Sequence, residues 1–385
     1  MDRREKLRRL NKFRRALPHV TASALSAVLC AVSLYGLPDL MDRDSMRAAR
    51  DLQANAETPY GPIVQPVKVI SKSGSATNIM MAHPFASLWT AVTSCESFRD
   101  FFKRRLLKQP PSPEAPWNLV LYTDEVTPGN VMSPNNKRKF QAVYWTFLEL
   151  GINALSREES WFCMMCEYSS TINDLSAGLS QAFGAMLKLF FEPGGYNFAA
   201  GGMSVPLEPA DIRLWAKLGI VLQDGGAHKS VWHSRGDSAS KLCLLCKNLF
   251  TEKSQFCDED GTNLLVCNAI KLADLVPATD HDLRTVARYL EGQHATMAPG
   301  EFLERQQALG MTYHPHAVML DRTLDSVLKP SEVYMHDWMH ALFVDGIVNL
   351  VIYLVFEAFI QSDMKNVYET FFRLYQAVEM ACPIS

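Results

Sequence analysis

The sequence predicts a mixed α/β protein. Its central sheet is expected in the order strand, strand, strand, helix, strand, flanked by helices, with a helical region before it and an apolar helix after it. Three observations carry this expectation. Three short runs rich in β-branched and aromatic residues, at 117–123, 140–150 and 160–169, follow one another across turn sequences. An amphipathic stretch at 171–191 comes next, and a fourth β-like run at 211–226 ends near Asp224. Finally, 48% of the 385 residues are hydrophobic and 21% charged, a composition able to bury a real core.

The chain divides into five regions. Residues 1–55 read as a basic helical N-terminal region, because "MDRREKLRRLNKFRR" carries eight basic and two acidic residues. Arg8, Arg9, Lys12, Arg14 and Arg15 there are candidates for nucleic-acid phosphate contact or nuclear import, and a solvated helix face serves the pattern equally well. The uncharged run 20–37 after this basic flank resembles a signal anchor. Its Ala, Ser, Thr and Gly content drives lipid transfer weakly, and Leu25, Val28, Leu29 and Val32 form a stripe that suits a packed helix. Asp2 and Glu5 argue against a transit peptide. Residues 56–110 read as a Pro, Gly and Ser-rich linker or extended hairpin followed by a helix over 79–108, which "QPPSPEAP" stops.

Residues 111–240 hold the first part of the sheet, and residues 241–330 read as a Cys-containing, largely helical insertion. Residues 331–385 begin with "SEVYMHDWMHALFVDG", where His336, Asp337, His340 and Asp345 lie against an oily run, and continue as an apolar C-terminal helix. Asn349 and Glu357 interrupt that run, which favours a buried core helix over a membrane span. A membrane-associated protein is the competing reading. The net charge of −3 excludes a polycation, so nucleic-acid binding has to come from local patches such as "KRRLLK" and "NNKRK". Nine cysteines, an odd number at irregular spacing, point to reduced thiols or metal ligands in an intracellular protein.

The chemistry sits with the acids and cysteines. Asp124 follows the first strand run and Asp224 the fourth. If those strands are neighbours, two carboxylates meet at one edge, where mutual repulsion makes a divalent cation favourable. Mg²⁺ or Mn²⁺ held so serves phosphodiester cleavage and strand transfer. The plain alternative is turn chemistry, which "TPGN" beside Asp124 also fits. Cys243 and Cys246 form a CxxC that can present two thiolates to Zn²⁺, with His233 a candidate third ligand and Cys257, Cys267, His336 and His340 competing for the rest. Cys163 and Cys166 form a second CxxC inside a strand run, where buried thiols are expected. Asp337 and His340, three apart, share a helix face and can support a metal site or act as a cap and a packed histidine.

The strand order is that of the front half of an RNase H-like domain. "LVLYTDEVTPGN" with "FQAVYWTFLELG", "LGIVLQDGGAHKSVWHSRGDSASKLCLLCKN" and "HDWMHALFVDGIVN" together resemble the DDE transposases of that superfamily, specifically the eukaryotic cut-and-paste CACTA, Plavaka and Kyakuja-Dileera-Zisupton groups, over roughly residues 115–350. The resemblance implies metal-dependent DNA cleavage and transfer, with Asp124 and Asp224 as the first two metal-binding acids, Cys243 and Cys246 as the Cys motif and Asp337 with His340 as the D-x-x-H. It implies DNA as partner, self-association and a nuclear location. The third acid of such a triad is a downstream glutamate. Glu357, Glu369 and Glu379 follow, none in a matching motif, so a truncated, decayed or repurposed copy is expected, and a catalytically inactive DNA- or protein-binding remnant is the alternative.

Overall fold

A computed structural model describes residues 10, 15, 20–37, 39, 42–128, 136–251, 264–265, 271–344 and 347–361. The chain forms two compact units, Met1–Ala56 and Glu57–Ser385. The first contains helix α1 (Ala22–Tyr35), whose N-cap Thr21 accepts a hydrogen bond from the Ala24 amide at 3.2 Å, and helix α2 (Arg43–Ala54).

In the second unit the Pro and Gly-rich stretch becomes an antiparallel hairpin of β1 (Val64–Ile70) and β2 (Ala76–Ala82). Helices α3 (Pro84–Ser94) and α4 (Glu96–Lys108) follow, α3 starting where Pro84 needs no amide donor. The central sheet contains β3 (Trp117–Val126), β4 (Phe140–Phe147), β5 (Phe162–Tyr168), β6 (Ala216–Gln223) and β7 (Tyr334–His336). Its order is β7-β6-β3-β4-β5. β3, β4 and β5 form an antiparallel meander, while β6 lies parallel to β3 and β7 parallel to β6. The expected mixed sheet with flanking helices is therefore present.

Alternation along β3 sets two faces. Trp117, Leu119, Leu121 and Thr123 are buried on one, opposite Val143, Trp145 and Phe147 of β4. Phe102 of α4 packs edge-on against Trp117, and Phe190 of helix α5 (Gly178–Phe190) packs edge-on against Trp145. Each such fully buried aromatic contributes on the order of 1.5–3 kcal/mol by leaving water. The other face carries Tyr122, Tyr144 and Asp124.

Four local expectations need correction. Asp124 lies inside β3, not after it, because the pairing with β4 continues to Val126 and Phe140. The stretch 171–191 is not one helix: Ser169–Asp174 is a short helix of its own, and α5 begins afresh after a turn through Ala177 and the positive-φ Gly178. Cys163 and Cys166 are exposed while Met164 and Met165 are buried. A register shift between Val143 and Tyr144 breaks the alternation on the edge strand β5, so both methionines turn inward. Finally, the apolar helix after β7 is not a core helix over its described residues. Leu350, Val351, Ile352, Tyr353 and Leu354 are all exposed.

Between β6 and β7 run helix α6 (Gly225–Trp232), an extended stretch bearing Cys243 and Cys246, and helices α7 (Asp280–Gln293) and α8 (Pro299–Leu309). α7 carries a full capping box, with Thr279 and Asp282 bonding each other's backbone amides. After β7 a short stretch of π-helix, His340–Val344, leads to α9 (Ile347–Gln361).

β3 and β6 approach closely. An added Cβ on Gly219 would lie 2.6 Å from the Asn118 side chain, and the β3–β6 register shifts at that residue. A side chain at Gly219 would push apart the two strands that carry Asp124 and Asp224.

Candidate carboxylate site at the strand ends

Parallel strands in register bring consecutive residues to one level. β3 pairs Thr123 with Gln223 of β6, and β6 pairs Gln223 with His336 of β7. The next residue on each strand is an aspartate: Asp124, Asp224 and Asp337. Three carboxylates thus belong to adjacent chain segments at one edge of the sheet.

Each is held differently. Asp124 shares a face with Tyr122 two residues earlier, and the Tyr122 hydroxyl donates to its Oδ2 at 3.3 Å. Asp224 is the N-cap of α6, where its Oδ1 accepts from the Ala227 amide at 2.5 Å. Asp337 extends the ladder, since its amide donates to the Gln223 carbonyl at 2.8 Å. Its Oδ1 accepts from the Met339 amide at 2.8 Å and its Oδ2 meets His340 Nδ1 at 2.9 Å. Asp224 and Asp337 therefore both serve as caps, the role that the plainer reading assigns to Asp337, and Asp224 also stands between Asp337 and Asp124 in the strand order.

The side chains act on one another electrically. Burial raises the Asp124 carboxyl above its ordinary value, and repulsion from Asp224 adds to it. The Glu125 amide, His340 and the Tyr122 hydroxyl work the other way. The hydrogen bond to Asp337 raises His340 above the ordinary histidine value, with smaller attractions from Asp224 and Asp124. Burial, then the charges of Asp124 and Asp337, raise the Tyr122 hydroxyl well above the usual tyrosine range.

Glu125 points to the opposite side from Asp124. It is committed to Lys139 at 2.8 Å, Ser169 at 2.8 Å and Gln141 at 3.2 Å. Beneath the acids lies a feature that sequence reasoning missed. The Thr123 hydroxyl and both polar atoms of the Gln223 amide are buried with no hydrogen-bond partner among the described residues. Side chains 1% and 0% exposed should bury polar atoms only at a cost. The paired register makes them neighbours, which neither residue type announces.

The donor set discriminates between metals. Among the described residues no group of three or more His, Cys, Asp or Glu converges closely enough to hold a metal ion. An all-protein cage is thus not formed. Mg²⁺ and Mn²⁺ do not require one, because they commonly bind one or two carboxylates and complete their shell with water and substrate phosphates. Asp124 and Asp224 fit that requirement. Zn²⁺ is different, since its structural sites need four protein ligands. Cys243 and Cys246 are hydrogen-bonded together, burial and then the Cys243 neighbour pushing the Cys246 thiol up to about 11. His233 stands apart in the left-handed region (φ 50), its ring 4.5 Å from that of His314, and burial lowers it to about 4. The described residues therefore do not fit a zinc centre. Cys257 and Cys267 lie outside them, as do Asp345, Glu369 and Glu379.

The basic patches divide similarly. Arg8, Arg9, Lys12 and Arg14 lie outside the described residues, and Arg15 is exposed. In α4, Lys103 donates to the Glu208 carbonyl and Arg105 to the Glu149 carbonyl, so half of "KRRLLK" has structural work. Arg104 and Lys108 are exposed. A cleft of about 650 Å³ beside α5, lined by Lys188, Glu192 and Asp321 among others, contains none of the three strand-end aspartates.

No protein-family model matches the chain, and no curated protein matches it.

Proposed function

We propose that this chain is an RNase H-like, DDE transposase-derived protein whose strand-end acids bind Mg²⁺ or Mn²⁺ for DNA strand cleavage and transfer. The observation that carries the reading is the register of Thr123 with Gln223 on neighbouring parallel strands, which makes Asp124 and Asp224 adjacent. The order β7-β6-β3-β4-β5, with β4 and β5 antiparallel to β3 and the acids on the two central strands, supports the RNase H-like assignment.

Asp124 and Asp224 would hold the ion, which when bound activates the attacking oxygen and stabilises the leaving oxygen of a phosphodiester. The remaining tasks belong to the chain. The Tyr122 hydroxyl orients the Asp124 carboxylate. The α6 amide at Ala227 fixes one oxygen of Asp224 and leaves the other without that bond. His340, favoured as the imidazolium by Asp337, faces the two acids and offsets their repulsion when no cation is present. DNA is the substrate class that the DDE resemblance supplies, with exposed cations such as Arg104 and Lys108 available for its phosphates. A nuclear location and self-association belong to the same reading.

Mn²⁺-dependent nicking of supercoiled DNA by the full chain is the test. Activity is expected from the native sequence and not from Asp124→Ala or Asp224→Ala. Nicking that survives both substitutions would refute the reading.

A second reading, a non-catalytic remnant of the same fold, draws on one specific observation. Asp224 and Asp337 are both engaged as caps, and Asp337 is paired with His340, so the acids satisfy structural needs without a metal. In that case the native chain binds DNA without cleaving it. A third reading, membrane association, draws on His340–Glu357, a stretch long and apolar enough to cross a membrane by length and composition. Recovery of the chain in the soluble fraction after a carbonate wash would dispose of it.

A further inference from the structure

β7 is three residues long and lies at the edge of the sheet, yet it delivers Asp337 and His340. So short a ladder fixes the direction of a strand weakly. A second attachment comes from α6, the helix that Asp224 caps. His228 on that helix is 1% exposed and uses both ring nitrogens. Its Nε2 lies 2.9 Å from the Met335 carbonyl, which can only accept. Its Nδ1 lies 3.0 Å from Trp232 Nε1, which can only donate. The ring is therefore neutral, with its proton on Nε2. It also stacks on Tyr334 with centroids 3.6 Å apart and planes 11° from parallel, and meets His336 edge-on at 5.0 Å. All three residues of β7 thus contact one side chain of α6.

We infer that His228 is a positioning residue that locks the tip of β7 to α6 and so fixes Asp337 and His340 beside Asp224, one of the two acids proposed to hold the cation. The inference rests on the carboxylate-site reading and extends it. His228 touches neither substrate nor metal. It acts through the Met335 carbonyl and the Tyr334 ring, two and three residues before Asp337. Burial, which lowers this histidine to about 4, is consistent with a ring that must stay neutral to make both bonds. Outer residues of this kind typically change metal affinity by about 10-fold or more when removed.

The test measures Mn²⁺ binding to the full chain by the loss of the free-ion signal in electron paramagnetic resonance, with thermal melting in metal-free buffer alongside. His228→Phe keeps a stackable ring and removes both hydrogen bonds. His228→Gln keeps a donor that reaches the Met335 carbonyl. The expected result is affinity about 10-fold weaker in His228→Phe and close to the native value in His228→Gln. If the Phe variant does not fold, His228→Asn, whose amide falls a methylene short of Met335, takes its place in the comparison with Gln. Native affinity in the Phe or Asn variant, or no rescue by Gln, overturns the inference while the carboxylate site stands. Binding to the native chain that is insensitive to Asp224→Ala overturns both.

Discussion

Asp224 does two things that can be pulled apart by two substitutions. Its Oδ1 caps α6 through the Ala227 amide, and its charge sits beside Asp124. Asparagine is as good an N-cap as aspartate but carries no charge, whereas alanine removes both functions. Asp224→Ala should therefore cost about 0.5–2 kcal/mol of stability, the usual worth of an N-cap. In a unit of this size each kcal/mol lowers the melting temperature by roughly 2–4 °C. Asp224→Asn should melt at or slightly above the native temperature, because the cap remains and the repulsion that helps raise the Asp124 carboxyl is gone. Cation binding should respond differently. A cation at 100 times its dissociation constant stabilises the native fold by about 2.7 kcal/mol, and that increment should vanish in both variants. The assay is thermal melting of the three proteins with and without saturating Mn²⁺. An Asn variant that keeps the Mn²⁺ shift would remove Asp224 from the site. An Ala variant as stable as the Asn variant would show that the cap contributes nothing.

The other acids make further predictions. The raised carboxyl of Asp124 binds its proton more tightly folded than unfolded, so its ionisation destabilises the fold above the folded value, and the penalty is absent below the unfolded value of about 3.9. Asp124→Asn should thus raise the melting temperature at neutral pH, with the gain disappearing in melts below about pH 4. His340 has the opposite linkage. Its raised value makes the Asp337 pairing stabilising below the unfolded histidine value of about 6.5, with that stabilisation lost as pH rises through the folded value. Asp337→Asn should move the His340 titration downward, read from its ring proton shifts in NMR, and an unmoved titration would contradict the pairing. Gly219→Ala should cost about 1–3 kcal/mol by overpacking against Asn118 and weaken Mn²⁺ binding by spreading β3 from β6, and a variant as stable as the native chain would mean the contact yields freely.

How much of this was legible in the sequence differs by element. β3, β4 and β5 could be read because turn residues bracket their aromatic and β-branched runs, and binary pattern is a local property. Their ends could not be read: "TDEV" looks like a turn, and only the partner strand's Phe140–Val143 keeps it extended. The exposed thiols of Cys163 and Cys166 depend on a one-residue register shift that leaves no mark in composition. β7 was hidden for a similar reason. Tyr334–His336 has no alternation long enough to register, and it is a strand because β6 offers it a parallel edge and His228 a clamp.

The aspartates show why the site was only half visible. Asp124 and Asp224 could be linked from sequence, because both follow recognisable β-forming runs and parallel pairing would align them. Asp337 was read as support for a neighbouring metal centre, since an Asp-His pair at the head of an apolar run mostly signals a helix cap. The structure agrees with the cap and adds a location. Because β6 pairs Gln223 with both Thr123 and His336, the residue after each partner comes to the same edge, where Asp224 and Asp337 also serve as caps. His340, paired with Asp337, also acts on Asp124 and Asp224 with its charge, so if those two acids hold the cation, Mn²⁺ affinity should improve as His340 loses its proton.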